Sequence, residues 1–175
     1  EVLIEAFVEV KRMEPRALLA IGGAGDASVL AALRRRVESR GLASDVLWLG
    51  FLDEPSKLEA FGGADAFVLP SLSENFGIAA VEALAAGLPS VLTEEVGVSR
   101  GVAAAKAGLV VAGEPREVST ALLRILGEAG LAEALSRNAQ ALVRESYSLE
   151  AMGRNLKRLY EDILGMHRGS LGATP

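Results

Sequence analysis

Apolar positions along this chain follow two patterns, short continuous runs and longer stretches with helical spacing. The continuous runs are typical of buried parallel strands, and they lie at 17–21, 46–50, 66–69, 89–93 and 108–111. Helical stretches separate and follow them, at 2–13, 28–40, 56–61, 78–87, 102–107, 115–128, 131–145 and 149–164. Because strands and helices alternate, we expect an α/β fold, a Rossmann-like parallel sheet with helices on both faces.

Open parallel sheets bind ligands at the carboxyl ends of their strands. Four connecting loops are expected at that edge, namely 22–25, 50–54, 70–77 and 93–97. The loop 70–77 is the most informative, because it precedes a helix, IAAVEALAAGL, in which Glu82 is the only polar side chain. A helix that is apolar all round is normally buried, so we expect Glu82 to be paired with another group or with a ligand. Alternatively, Glu82 reaches water past the small alanines.

Glu74 and Glu82 lie eight residues apart, before and inside this helix. If the helix begins near Gly77, Glu82 is about one and a half turns in, roughly 7 Å along the axis. Both carboxylates could then contact one ligand of nucleotide size, and a carboxylate suits the two hydroxyls of a ribose. The backbone of 73–77 could cradle a phosphate at the helix start. Ser73, Glu74 and Asn75 could equally act as helix caps.

The other loops carry weaker signals. Gly23 and Gly25 match the first two glycines of a dinucleotide-binding turn, but Ser28 stands at the third position. This favours a tight turn with some ligand contact over a dehydrogenase cofactor domain. Asp26 or Ser28 can cap the next helix. Phe51 could stack on a base or pack against the helix that follows it.

Composition narrows the function classes. The net charge is −5, there is no cysteine, and His167 is the only histidine, which argues against a thiolate or histidine metal site and against a histidine-based triad. The cluster Arg34–Arg36 with Arg40 is interpreted as a solvated helix face rather than a nucleic-acid surface. No apolar run is long enough to span a membrane, and we expect a cytoplasmic protein. A C-terminal apolar stripe is interpreted as core or an interdomain seam: Leu156, Leu159, Tyr160 and Ile163.

The stretch 70–91 resembles the signature of glycosyltransferase family 4, and the resemblance covers about residues 1–165. The matching positions are Pro70-Ser71, Glu74, Phe76-Gly77, Glu82-Ala83, Gly87-Leu88-Pro89 and Val91. The preceding sequence, with Pro15, a glycine turn and VLWLGFL, also fits, as does Tyr160. The chain thus looks like the carboxyl-terminal, donor-binding half of a GT-B-type fold.

The resemblance implies roles for particular residues. Glu74 would be catalytic, contacting the donor sugar near the reacting carbon, and Glu82 would bind the ribose. The phosphates and sugar would lie against the backbone of 75–78, which comprises Asn75, Phe76, Gly77 and Ile78. The base would lie beside Phe51 and Leu52, and the diphosphate near Gly23. No metal and no separate cofactor are implied, since the nucleotide-sugar is the substrate.

The resemblance also implies a larger enzyme, a retaining hexosyltransferase. Residues 1–165 would form the donor domain without its first strand, and 166–175 a disordered tail. The family's Arg and Lys for the diphosphate would fall before Glu1, as would the amino-terminal acceptor domain, which could also contact a membrane peripherally. The chain alone is therefore expected to be inactive. The alternative is a non-catalytic nucleotide-binding or scaffold module of the same fold. The loop 93–100 departs from the family pattern and receives no role.

Overall fold

The structure, a computed structural model, describes the backbone of residues 1–170 and the side chains of residues 1–164. The strands are β1 Leu19–Gly22, β2 Val46–Gly50, β3 Phe67–Leu69, β4 Ser90–Thr93 and β5 Leu109–Val111. The helices are α1 Val2–Met13, α2 Ala27–Ser39, α3 Glu54–Gly62, α4 Ile78–Ala85, α5 Ser99–Ala104, α6 Pro115–Gly127, α7 Leu131–Leu142 and α8 Leu149–Ser170, with a π-helical turn, Val143–Tyr147, between α7 and α8. Every predicted strand is present, which confirms the α/β fold.

The main difference from the expected sheet is that it consists of two parts. β1 pairs with β2, and β4 pairs with both β3 and β5, all in parallel. No hydrogen-bonded pairing joins β1 to β3 among the described residues. The strands keep the parallel arrangement that the sequence predicts, and the division into two sheets is a feature that the sequence pattern did not indicate.

A single apolar cluster holds the two sheets together. Phe7 and Val10 of α1 pack in one buried group with Leu19 of β1, Val46 of β2 and Val91 of β4. A second buried cluster lies beneath α4 and α5 and forms the base of the candidate site; it contains Leu84, Leu92, Val96 and Val102. Burial of apolar surface against α1 therefore connects the two sheets.

Two helices, α5 and α8, have different end residues from those predicted. α5 begins at Ser99, three residues before the predicted start, and it ends ahead of Lys106, whose φ of 53° is left-handed. α8 continues through the expected tail as far as Ser170, and 171–175 lie outside the described residues. The C-terminal stripe on α8 is 41 to 58 % exposed, so its interpretation as core is wrong and the interdomain seam stays a prediction. No helix in the described part of the chain is both long and apolar enough to cross a bilayer.

The arginines of α2 lie on its outer face, and they also attach α2 to its neighbours. The Arg36 Nε lies 2.7 Å from Glu5 Oε1, and the Arg40 guanidinium lies 2.8 Å from Glu5 Oε2. Arg34 stacks over the Trp48 ring at 4.7 Å. These contacts join α2 to α1 and β2, so the cluster has a structural role.

We expect Glu5→Gln to destabilise the fold in a pH-dependent way. The hydrogen bond from Arg36, and then that from Arg40, lowers the pKa of the Glu5 carboxyl. A carboxyl with a lowered pKa stabilises the fold above its unfolded pKa, and this contribution is lost as the pH falls through the folded pKa. Urea unfolding should show a loss of about 0.5–1 kcal/mol at neutral pH, and a smaller loss at an acidic pH below the unfolded pKa.

Glu133→Gln is the matched control, since its pair with Arg137 spans 3.7 Å and its side chain is 81 % exposed. It should change the free energy of unfolding little at either pH. An equal loss for Glu5→Gln at both pH values would contradict the electrostatic explanation.

Candidate functional site

The loop after β3 is organised by the carboxylate of Glu74. Its Oε1 accepts hydrogen bonds from the amide nitrogens of Phe76 at 3.3 Å and Gly77 at 3.2 Å. The hypothesis that Glu74 caps this segment is therefore correct for the loop amides, although the N-cap residue of α4 is Gly77. Because only one carboxylate oxygen is used in these bonds, the other remains available to a ligand.

The N-terminus of α4 leaves backbone donors open. Gly77 has φ 94° and ψ 57°, a left-handed conformation that glycine adopts without strain. No described side chain caps the first turn of α4, and the Ile78 side chain there is 67 % exposed. Amides in this position suit an anion, as the sequence predicts for a phosphate.

A second loop, 94–98, holds the first loop in place by backbone hydrogen bonds. The Glu74 N–H donates to Glu95 O at 3.2 Å, and the Gly97 N–H donates to Glu74 O at 2.8 Å. The Val98 N–H donates to Phe76 O at 3.1 Å. The loop after β4, to which sequence analysis gave no role, therefore fixes the position of Glu74.

Two glycines permit this close approach. A Cβ at Gly97 would lie 2.1 Å from the Asn75 carbonyl oxygen, and a Cβ at Gly77 would lie 2.7 Å from Val96 Cγ1. Asn75 and Phe76 are exposed, so the loop is buried on one side only.

Behind Phe76, the Tyr147 ring packs edge-on with 5.9 Å between ring centroids. Tyr147 belongs to the π-helical turn, so the C-terminal helices support the loop.

Glu82 is paired, as expected, but its helix is not buried all round. The Lys57 Nζ lies 2.6 Å from Glu82 Oε1, and the Glu82 side chain is 37 % exposed. Ile78 and Ala79 are exposed, whereas Ala80 and Leu84 are fully buried. The expectation of a fully buried α4 is therefore wrong, because Ile and Ala occupy its open face as well as its packed face. Ile78 and Glu82, one turn apart on α4, both lie on the side of the helix that is not buried.

The remaining candidates lie at the ends of β1 and β2. The Gly23 N–H donates to Gly50 O at 2.7 Å, which brings the two strand ends together. A Cβ at Gly22 would lie 2.9 Å from Leu52 Cδ1, so Leu52 packs against the glycine turn. Phe51 is 79 % exposed, so the interpretation that it packs on the following helix is wrong.

α3 connects these two groups of residues. Its N-cap residue is Asp53, whose Oδ1 accepts a hydrogen bond from the Ser56 N–H at 3.0 Å. Hydrogen bonds from Ser56 lower the pKa of the Asp53 carboxyl. Lys57 is the next residue after Ser56, and its ammonium contacts Glu82. The loop 51–53 and α4 therefore lie on two sides of the same region of the surface. Lys57 is not predicted from the sequence, because no local pattern distinguishes it. Gly97 is not predicted either, because a glycine in a loop at the sheet edge is only a weak signal.

Known proteins of one family resemble this chain in sequence. Residues 1–142 match the model of a family described as glycosyl transferases, group 1. The chain is 32% identical over 146 residues to a D-inositol 3-phosphate glycosyltransferase of Jonesia denitrificans, covering 80% of this chain and 34% of the relative. It is 32% identical over 165 residues to a phosphatidyl-myo-inositol mannosyltransferase of Mycobacterium leprae, covering 93% and 42%.

Solved structures show the same fold. A sucrose-phosphate synthase from Thermosynechococcus elongatus superimposes with a TM-score of 0.79 at 25% identity, covering 94% of this chain and 43% of that one. HepE of Anabaena, solved in complex with UDP and glucose, gives 0.80 at 20% identity, covering 91% and 44%. The fold is that of the GT-B glycosyltransferases. The chain spans less than half the length of these relatives.

We expect Gly97→Ala to destabilise the protein by about 2–3 kcal/mol, because the new Cβ would collide with backbone that no side-chain rotation can move. Urea unfolding measures this loss. Gly25→Ala is the matched control: its Cβ would meet nothing within 4 Å, so its free energy of unfolding should change by less than about 1 kcal/mol. Equal stability of the two variants would contradict the close crossing of the loops.

Proposed function

This chain belongs to the glycosyl transferases of group 1, and we propose that it is the donor-binding domain of a retaining glycosyltransferase that moves a sugar from a nucleotide-sugar to an acceptor. In finer terms it is a family 4 member and the carboxyl-terminal half of its GT-B fold. The observation that carries the proposal is the half-exposed Glu82 carboxylate on an otherwise apolar helix face, beside a loop whose backbone is locked around Glu74.

Each part of the donor has a matching group. Glu82 accepts hydrogen bonds from the ribose hydroxyls, and the free oxygen of Glu74 contacts the sugar near its anomeric carbon. The backbone of 75–78 and the uncapped N-terminus of α4 hold the diphosphate, with Gly23 nearby. Phe51 and Leu52 lie by the base, and the 79 % exposure of Phe51 leaves its ring free to stack.

The chemistry needs positioning and charge stabilisation from the protein. The bond between the anomeric carbon and the diphosphate oxygen breaks, a bond to the acceptor oxygen forms, and the proton of the acceptor hydroxyl passes to the departing diphosphate. Negative charge grows on the leaving diphosphate, where preorganised backbone N–H groups stabilise it. We propose that no metal or further cofactor takes part.

The division of the sheet supports the proposal that a strand ahead of α1 completes this domain. In the doubly wound order 3-2-1-4-5-6, the first strand lies between the second and the fourth. If β1 and β2 are the second and third strands of that order and β3–β5 the fourth to sixth, the observed pairings match it with only the first strand left out. The slot for the missing strand is then the interruption between β1 and β3.

The proposed enzyme also contains an acceptor-binding half. We place the whole enzyme in the cytoplasm. The curated relatives carry names of sugar-transferring enzymes and are more than twice the length that this chain covers. The exposed apolar stripe of α8 is a candidate seam for that half. Since the acceptor would bind in that other half, the chain alone is expected to be inactive.

Nucleotide binding tests the proposal most directly. The protein, prepared with whatever sequence precedes Glu1 in its gene, should show a higher melting temperature with UDP, GDP or ADP, because a ligand that binds only the folded state stabilises it. One of the three should give the largest shift and so identify the base. No shift with any of them would overturn the proposal.

Substitution of the two acids distinguishes an enzyme from a scaffold. We expect Glu82→Ala to weaken nucleotide binding, and Glu74→Ala to lower the turnover of donor by 10²-fold or more, on the order expected for a group that acts at the reacting carbon. Glu133→Ala, on the exposed face of α7, is the control. If the wild-type protein binds nucleotide but shows no transfer activity, so that Glu74→Ala has nothing to lower, the protein is a nucleotide-binding module rather than an enzyme.

Amide exchange tests the proposed strand slot. Backbone N–H groups of β1 and β3 that lack a partner exchange readily, and they should become protected once upstream sequence is included. The β4 amides, already between two strands, serve as the internal control. Unchanged exchange in β1 and β3 would contradict the placement.

A further inference from the structure

We propose that Lys57 is a positioning residue, which holds the Glu82 carboxylate in the orientation that receives the ribose hydroxyls of the donor. The inference rests on the proposed function and deepens it. Nothing in the motif around Glu82 points to Lys57, which lies 25 residues earlier in the chain. The pairing is visible only in the structure.

The geometry leaves the carboxylate able to bind a ligand while Lys57 holds it. The Lys57 Nζ lies 2.6 Å from Oε1, and Lys57 is the only salt-bridge partner of Glu82 among the described side chains. A carboxylate offers about four acceptor positions on its two oxygens. Lys57 occupies one of them, so two hydroxyls can still be accepted.

The helix that carries Lys57, α3, is anchored at both ends. Asp53 caps the first turn of α3, one turn before Lys57. At the other end of α3, the Phe61 ring packs edge-on against Phe67 of β3, with 6.0 Å between ring centroids. α3 is thus held at both ends, so the ammonium group approaches Glu82 from an anchored helix rather than from a mobile loop.

The pair is better suited to organising a site than to stabilising the fold. The side chains of Lys57 and Glu82 are 31 and 37 % exposed, and ion pairs at such exposure add little to stability. The ammonium nevertheless restricts the Glu82 rotamer. A carboxylate already held in place loses less conformational entropy when a ligand binds. Removing Lys57 should therefore lower affinity much more than stability.

Calorimetric titration with a nucleoside diphosphate tests this. In the protein prepared with its upstream sequence, Lys57→Met should raise the Kd by about tenfold, by analogy with partners that orient metal ligands, whose loss lowers metal affinity by about 10–100-fold. The melting temperature without ligand should change little, and in turnover assays KM should rise while kcat stays near the wild-type value. Lys57→Arg, which keeps the charge and the donors, should restore most of the affinity.

A ribose-specific comparison separates positioning from direct contact. With the 2′,3′-dideoxy form of the same nucleotide, Glu82 has no hydroxyls to bind, so Lys57→Met should no longer weaken binding. Lys157→Met is the matched control, because it removes an exposed lysine whose partner, Glu161, lies 3.8 Å away on the same helix. Its Kd should equal that of the wild type.

The remaining outcomes are distinguishable. If the wild-type protein binds none of the nucleotides, the proposed function fails before Lys57 is tested. If the wild type binds and Lys57→Met binds equally or more tightly, the positioning role is overturned. An equal weakening for the ribose and dideoxy nucleotides would also overturn it, since Lys57 would then act on the diphosphate rather than through Glu82.

Discussion

The candidate site depends on the crossing of two loop backbones, one after β3 and one after β4. Gly97 passes so close to the Asn75 carbonyl that any side chain would collide with it. At this separation the main chains exchange hydrogen bonds on both sides of Glu74. Because the Glu74 backbone is fixed by the neighbouring loop, its carboxylate is directed onto its own loop amides. The shape of the site is therefore set by backbone contacts, and the side chains follow from them.

Sequence predicted the elements well because their signals are local. β2 was predicted to the residue, since VLWLG is a continuous apolar run between turns. The burial of α4 was predicted wrongly for a physical reason. Ile and Ala are tolerated on an open face as well as in a core, so the pattern could not show which side of the helix faces outward. The interruption of the sheet was also beyond a local pattern, because strand neighbours are chosen by the whole topology.

The same distinction applies to the site. Glu74, Gly77 and Glu82 lie within nine residues, so their spacing alone placed them at one helix start. Lys57 and Tyr147 reach this region from α3 and from the π-helical turn, and each contact depends on how separate elements pack. Spacing in sequence carries no information about such pairs. The groups that could contact a ligand were largely predictable, whereas the groups that hold them in position were not.

The open face of α4 suits a ligand that is itself partly apolar. Ile78 and Glu82 are one turn apart, so an apolar surface and a carboxylate lie side by side on this face. A single exposed Ile needs no explanation; it becomes informative because the only charge on the helix is beside it and is already oriented by Lys57. A ribose presents the same combination, a sugar ring with apolar C–H groups and two hydroxyls. The chemistry of this face therefore suits the uncharged, hydroxyl-bearing part of a ligand, whereas the open amides of the loop suit its anionic part.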